Sequence, residues 1–394
     1  MTSHTLEKIR LHQAKSPLSF PDSPLSRIAK QPMMIGLFLP TQTGGFSQSK
    51  LPRGTDWNFE YNKHLTLTAE SYGFDFVFGL QQWVQKGGFG GEIKYRENFL
   101  DPFISTVAIG ALTKSIVTIS TVHILYGSLH PLYLARFAAT ADHITGGRFG
   151  LNIVTGYDAK EPLMFGMTRV EHDKRYQQAD EFTSIMEDLW VGGENLTFDG
   201  DYYHLEGAYI SPRPRFGRPI LVSASASQAG FDYAARHADI VFTSSPAGAV
   251  FENAIVALPE HVAQIKRAYE KTGRTAKVII FPLIVCKKTR DEAYAYRDAI
   301  VAGADLESIA AYTNRHTKGD AHGWPKHVPA DRVLGGHIQI VGDPTDVADA
   351  IGELHEAGLD GVQIGFYDYG PDLDFFAKAV LPLLEERGLR KPRA

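Results

Sequence analysis

An α/β fold, specifically a (β/α)8 barrel with insertions, is what the sequence predicts, and three observations predict it. Short apolar runs bounded by turn residues alternate with stretches of helical spacing from Met34 almost to the end of the chain. Several of those runs are nearly continuous in their apolar character, as strands covered on both faces of a parallel sheet must be. The third observation is the stretch Thr140 to Gly156, TADHITGGRFGLNIVTG. Helical spacing over Ala138 to Ile144 stops at Gly146-Gly147, which predicts a left-handed cap, and Phe149 to Val154 follows as a buried strand. Asn152 inside that strand and Thr155 at its carboxyl end are the polar exceptions, and carboxyl ends of strands build the active sites of such barrels.

In chain order, residues 1 to 32 are polar and carry Pro17, Pro21, Pro24 and Pro32, which reads as an N-terminal arm. Residues 33 to 394 read as a single domain. Met34 to Pro40 is the first strand, Trp57 to Tyr72 a helix, and Phe74 to Phe78 the second strand. A loop with Gln81, Gln82 and the cluster Gly87 to Gly91 follows, expected to be a mobile loop rather than a phosphate cradle. Asp101 to Thr113 is a helix, Val117 to His123 a strand, and Leu132 to Ile144 a helix. After Phe149 to Val154, a polar segment with Glu161 and His172 leads into a helix from about Arg175 to Trp190. Asn195 to Ile210 alternates and carries turn signals, the mark of an inserted hairpin. Pro219 to Ser225, Ile240 to Ser244, Val278 to Cys286, His337 to Val341 and Gly361 to Phe366 are further strands, His337 to Val341 being the one expected outside the closed barrel. Gly303 to Gly336 is polar, rich in His, Lys and Arg and poorly periodic, and reads as a lid insertion.

Composition excludes several function classes. The apolar share of 44%, the charged share of 22% and a net charge of −5 give no electrostatic case for nucleic acid or an anionic membrane. The single cysteine, Cys286, lies in an apolar run and permits no disulfide within the chain, so a reducing cytoplasm is the expected compartment. No run approaches the roughly 20 apolar residues needed to span a bilayer, and the beginning of the chain carries no hydrophobic signal segment. No Walker loop, no G-x-G-x-x-G after a strand, no G-x-S-x-G and no Cys/His metal spacing is present. No metal ligand set is expected. Ser223, Ser225 and Ser227 in LVSASASQAG stand at a strand-to-helix junction, where hydroxyls and free backbone N–H groups suit a phosphate. His123 and His130 straddle a turn, with site and core roles both open for His123. Taken from the residues alone, the reading is a barrel with a phosphate-bearing ligand and a lid, its reaction open.

The motifs TDWNFEYNKHLTLTAESYGFDFVF, ARFAATADHITGGRFGLNIVTGY, EHDKRYQQADEF, FDGDYYHLEGAYISPRP, GRPILVSASASQAG and GDPTDVADAI, in this order and spacing, resemble the bacterial-luciferase-like flavin-dependent monooxygenases. Within them the branch of dimethyl sulfone monooxygenase and pyrimidine oxygenase looks nearest. The resemblance implies FMN, bound reduced as FMNH2 at the barrel mouth, with O2 as co-substrate and one oxygen atom transferred through a flavin–oxygen adduct. Residue by residue, Asn152 and Glu161 match positions contacting the flavin ring. Arg175-Tyr176 matches the pair that helps hold the FMN tail. Ser227, with Ser225 beside it, matches the phosphate-binding serine, and Thr121 matches a threonine near where oxygen meets the flavin. Gln81-Gln82 stands where the pyrimidine oxygenase has an aliphatic–basic pair, and Tyr157 replaces a common tryptophan, so the substrate is not carried over.

Catalytic roles are thus expected for Thr121, His123 and Asn152, and cofactor roles for Gln81, Gln82, Thr121, Asn152, Glu161, Arg175, Tyr176, Ser225 and Ser227. Arg315, His316 and Lys318 are the lid residues expected to grasp a polar or anionic substrate. The substrate class implied is a small organosulfur compound (a sulfone or alkanesulfonate) or a nitrogen-containing one. The resemblance implies a separate NAD(P)H-dependent flavin reductase as partner, and the missing NAD fingerprint fits that. A homodimer or homotetramer is the implied assembly. A deazaflavin-dependent oxidoreductase on the same barrel would differ in the cofactor it binds. A non-catalytic flavin-binding protein would show no substrate-dependent oxygen consumption, and a barrel lyase or isomerase would turn over without oxygen.

Overall fold

The computed structural model describes residues 14–127, 129–317 and 333–392. Twelve strands occur among them: β1 (Met34–Phe38), β2 (Phe76–Gly79), β3 (Val117–His123), β4 (Phe149–Val154), β5 (Leu196–Asp199), β6 (His204–Ala208), β7 (Ile220–Ala224), β8 (Ile240–Thr243), β9 (Lys277–Ile280), β10 (Pro282–Cys286), β11 (Ile338–Gly342) and β12 (Gly361–Ile364). Eight of them close a parallel barrel in the order β1-β12-β9-β8-β7-β4-β3-β2. Every residue of β1, β2 and β3 is buried, which is why these strands read as unbroken apolar runs rather than alternating ones.

Local signals set the element ends. Asp101 caps the helix Pro102–Leu112 by accepting from the Ile104 N–H at 2.9 Å, with Pro102 at the first position where its missing N–H costs nothing. The helix Pro131–Thr145 ends at Gly146 with φ 69°, the left-handed cap that the Gly-Gly pair predicts. His130 caps the start of that helix through Nδ1, 3.2 Å from the Leu132 N–H. β5 and β6 form the antiparallel hairpin expected over Asn195 to Ile210.

Three expectations need correction. The apolar run Val278 to Cys286 is two strands. β9 stays in the barrel, and beyond Phe281 the chain veers outward as β10, which pairs in parallel with β11 outside it. His337 to Val341 therefore does lie outside the barrel, as read from the sequence, but with a partner strand. The arm is a packed element from Ala14 onward. Pro17–Ser19 forms a 3-10 turn and Pro24–Ile28 a helix, Leu25 is fully buried, and Ser16 Oγ donates to Asp239 Oδ1 at 2.6 Å. These contacts cover the amino ends of β7 and β8, the side of the barrel away from the site. Finally, Gly303 to Gly336 contains a helix, Leu306–Thr317, and its last residues, Val333 to Gly336, are described, with Val333 and Leu334 buried; residues 318–332, Lys318 included, lie outside the described residues.

The cluster Gly87 to Gly91 forms a loop that folds back on itself. The Phe89 N–H donates to the Tyr95 carbonyl at 2.8 Å, and the Ile93 N–H donates to Asp305 Oδ2 at 3.0 Å. Gly88 has φ 59°, and a Cβ there would lie 2.2 Å from the Tyr95 oxygen, so only glycine lets this loop fold back on itself. Cys286 is buried, and burial pushes its thiol up to about 12, which fits a packing role rather than a nucleophile.

Candidate active site

A cavity of about 270 Å³ opens at the carboxyl ends of the barrel strands. All ten of the residues read as catalytic or cofactor-binding line it: Gln81, Gln82, Thr121, His123, Asn152, Glu161, Arg175, Tyr176, Ser225 and Ser227. Parallel pairing of β3 with β4 sets Thr121 opposite Asn152, and Asn152 Nδ2 donates to Thr121 Oγ1 at 3.1 Å. This hydrogen bond fixes the amide, while Asn152 Oδ1 is buried with no hydrogen-bond partner. Gln82 Nε2, His123 Nδ1 and Glu161 Oε2 are in the same condition. Four orphaned polar atoms on one cavity wall are costly unless a ligand satisfies them.

His123 ends β3. Its N–H donates to Gln81 Oε1 at 2.8 Å, and its Nε2 lies 3.3 Å from the Gln81 carbonyl. A carbonyl partner requires the proton on Nε2, so Nδ1 presents a lone pair toward Glu161 Oε2, 3.3 Å away. Burial pushes His123 down to about 4. Burial, and then the neighbouring Asp158, pushes Glu161 up to about 8. At neutral pH both groups are uncharged, so the contact is not an ion pair, and it lacks hydrogen-bond geometry. Glu161 then carries a proton beside an imidazole that burial keeps neutral.

At the other end of the cavity, β7 runs into the helix Gln228–His237. Ser227 is its N-cap, accepting from the Gly230 N–H at 3.3 Å, and Ser223 and Ser225 hydroxyls are 2.9 Å apart. Tyr176 packs over this junction. Burial pushes its phenol up, against the opposing pull of the Ser227 hydroxyl, the Arg175 charge and the hydroxyls of Thr155 and Ser225. A Cβ on Gly230 would come within 2.8 Å of the Tyr176 hydroxyl, so the glycine makes room for the tyrosine. His172 Nε2 stands 3.5 Å from Ser227 Oγ. Hydroxyls, a buried guanidinium and a helix N-terminus converging on one place form an anion cradle.

Residues 33–361 match the family described as luciferase-like monooxygenase. The chain belongs to that family. Among curated relatives, it is 28% identical to the FMNH2-dependent dimethylsulfone monooxygenase of Pseudomonas fluorescens (strain Pf0-1), over 91% of this chain and 96% of the relative. It is 30% identical to the pyrimidine monooxygenase RutA of Variovorax paradoxus (strain S110), over 90% and 95%. Among solved structures, a riboflavin lyase with modified FMN and substrate riboflavin superposes with TM-score 0.80 at 26% identity, covering 92% of this chain and 93% of that one. The two relatives represent the two activities of the branch that the motifs resemble.

Arg315 and His316 are not placed as expected of residues in a luciferase-like monooxygenase that grasp substrate. Neither lines the cavity. Arg315 Nε is ion-paired with Asp158, and its Nη2 donates to the Trp83 carbonyl at 2.8 Å. His316 sits behind the wall. Its Nδ1 donates to the Tyr312 carbonyl at 2.7 Å, so its Nε2 accepts from the Tyr157 hydroxyl at 3.1 Å. Burial holds His316 neutral by pushing it down to about 4. These side chains buttress the helix Leu306–Thr317 against the loop after β4.

Other cavity residues escaped sequence reasoning. Phe38, Phe78, Phe242 and Phe281, near the ends of four barrel strands, form an aromatic floor with Phe46, the Phe38 and Phe46 rings being 4.2 Å apart. In the sequence such residues look like any core phenylalanine. Tyr95, Arg96 and Tyr312 also line the wall. Gln82 was the one available signal for Arg96, whose Nη1 donates to the Gln82 amide oxygen.

Proposed function

We propose that the protein is an FMN-dependent monooxygenase that uses reduced FMN and O2 to put one oxygen atom into a small organosulfur or nitrogen-containing compound. The observation that carries this reading is the pairing, in one cavity, of four orphaned polar atoms with an anion cradle at the far end. A flavin has that form: a flat ring edged with hydrogen-bond donors and acceptors, and a terminal phosphate. Ser227, Ser225, Tyr176 and Arg175 would hold the phosphate, while Asn152, Gln82 and Glu161 would meet the ring edge. When bound, the flavin supplies the electrons that activate dioxygen.

The chain's own residues supply the rest. The Thr121–Asn152 hydrogen bond locks one ring contact in place, so no reorganisation is needed during reaction. The phenylalanine floor keeps the site apolar and excludes water from it. Glu161 holds a proton at neutral pH, facing the cavity beside the neutral His123 imidazole. A separate flavin reductase, a homo-oligomer and a cytoplasmic location belong to the same reading. Exposed Ile104, Tyr133 and Phe137 on adjoining helices support the oligomer, and light scattering of the eluted peak would test it.

Oxygen uptake with a flavin reductase, NADH and FMN, across sulfones, sulfonates and cyclic amides, tests the activity. Uptake coupled to a new product is expected for at least one class. Absence of FMN binding in either redox state would sink the reading. A pH profile tests the proton carrier. Glu161 is neutral below about 8, so turnover should hold through neutrality and decline as pH rises through that value, where ionisation sets a second carboxylate beside Asp158. Glu161→Gln, fixed in the neutral hydrogen-bonding form, should lose that alkaline limb; a limb that persists in the variant belongs to another group.

A further inference from the structure

Arg96 lies on the cavity wall and is 6% exposed. Among the described residues no carboxylate lies within ion-pair distance of it, and its Nε is buried without a hydrogen-bond partner. The acids nearby are already committed or neutral. Glu97 accepts from the Gly87 N–H at 3.0 Å and stands 3.7 Å from Lys94. Asp158 is paired with Arg315. Glu161, whose carboxyl feels the Arg96 charge, carries a proton at neutral pH because burial dominates. A buried guanidinium held this way is expensive unless something anionic completes it.

The surroundings also fix its direction. The Tyr95 ring centroid is 4.9 Å and the Tyr312 ring centroid 5.4 Å from Arg96 Cζ, within cation–π reach. Gln82 accepts from Nη1. Arg96 has φ 63°, a left-handed conformation that costs a residue with a Cβ, and its N–H is tied to the Thr43 carbonyl at 2.9 Å. The folded glycine loop thus spends strain to aim one cation inward. Arg96 comes from the loop after β2, whereas the phosphate cradle follows β7, with β3 and β4 between them in the barrel.

We propose that Arg96 is the subsite for an anionic oxygen group on the substrate, a carboxylate or a sulfonate, gripped by the guanidinium between Tyr95, Tyr312 and Gln82. This rests on the monooxygenase reading and narrows its substrate class from neutral and anionic compounds to anionic ones. It also transfers to Arg96 the role first expected of Arg315, whose charge Asp158 already neutralises. Arginine suits the task because its fork meets two oxygens at once, which a lysine ammonium cannot do.

The test is calorimetric titration of butyrate and butanesulfonate, against neutral butyramide and diethyl sulfone, into the wild type, Arg96→Gln and Arg96→Lys, each with and without FMN. FMN affinity and thermal melting are measured in parallel. The wild type is expected to favour one anion over its neutral counterpart by about 30-fold or more, the scale of a buried charged hydrogen bond. Arg96→Gln should abolish that preference with FMN affinity within about threefold of wild type, and Arg96→Lys should keep part of it. Unchanged anion affinity in Arg96→Gln, binding of no anion by the wild type, or loss of FMN affinity in step with the anion would each overturn the proposal. Absence of FMN binding by the wild type would strike the monooxygenase reading instead, because the FMN-free titrations still report on Arg96.

Discussion

Ser227→Asp is expected to weaken FMN binding by about 10³-fold or more while leaving the fold intact. The two halves of that expectation come from the same position. Ser227 caps the helix Gln228–His237 through its side-chain oxygen, and aspartate caps as well as serine and adds a favourable charge at a helix N-terminus. Stability should therefore hold or rise slightly. The carboxylate, however, would face the phosphate that the cradle is proposed to take. Two like charges about 4 Å apart at an effective dielectric near 20 repel by about 4 kcal/mol, which is roughly 10³ in a dissociation constant. Ser227→Ala removes only one hydroxyl and should cost FMN binding about tenfold. Fluorescence titration with FMN measures both. An aspartate variant that binds FMN as well as the wild type would move the phosphate out of this cradle.

Asp239→Ala is expected to destabilise the protein by about 3–5 kcal/mol, the cost of stranding a buried charge. Arg218 grips the Asp239 carboxylate with both Nη atoms, at 2.6 and 2.8 Å, and both side chains are buried. The same carboxylate accepts from the Leu221 N–H at 3.0 Å and from Ser16 Oγ at 2.6 Å, joining the N-terminal segment to the barrel floor. Removing it leaves Arg218 buried beside Glu187, whose Oε1 is 3.4 Å away. The double variant Asp239→Ala/Arg218→Met should recover most of the loss, since the fully buried guanidinium goes with the carboxylate, Glu187 keeps His237 and the partly exposed Arg274 reaches water. Urea denaturation of the wild type and both variants decides this; a loss under about 1 kcal/mol for the single variant would mean that water enters and solvates Arg218. The pH dependence has a definite sign. Burial opposes ionisation of Asp239, yet the Arg218 charge and its hydrogen bonds outweigh burial and hold the carboxyl below its ordinary value. Its contribution is therefore present above the unfolded-state value and is lost as pH falls through the folded-state one.

The barrel was legible in the sequence because backbone burial leaves a one-dimensional trace. Strands covered on both faces must be apolar along their length, as β4 is from Phe149 to Val154 apart from Asn152. Capping is local too, so Asp101-Pro102 and Gly146-Gly147 announced helix ends that the structure has. The polar residues at strand ends were legible for the same reason. Asn152 interrupts an apolar run and the serines end one, whereas Thr121, in the mixed strand VTISTVH, was marked only by the family resemblance. Family motifs then attached FMN roles to positions that tertiary structure gathers around one cavity.

What the sequence could not carry depended on distance through space. In the run Val278 to Cys286 only Pro282 hints at a break, and the place of β11 beside β10 shows that the chain leaves the barrel there. Arg315 and Arg96 look equally solvated in the sequence, a cation in each of two polar segments. Folding brings Asp158 to one and no carboxylate, among the described residues, to the other. That difference turns the first into a brace and leaves the second, like Arg175, a cation on the cavity wall. An ion pair is decided by a few ångströms between residues 157 positions apart, because Coulomb energy in a buried site falls with spatial separation and takes no account of separation along the chain.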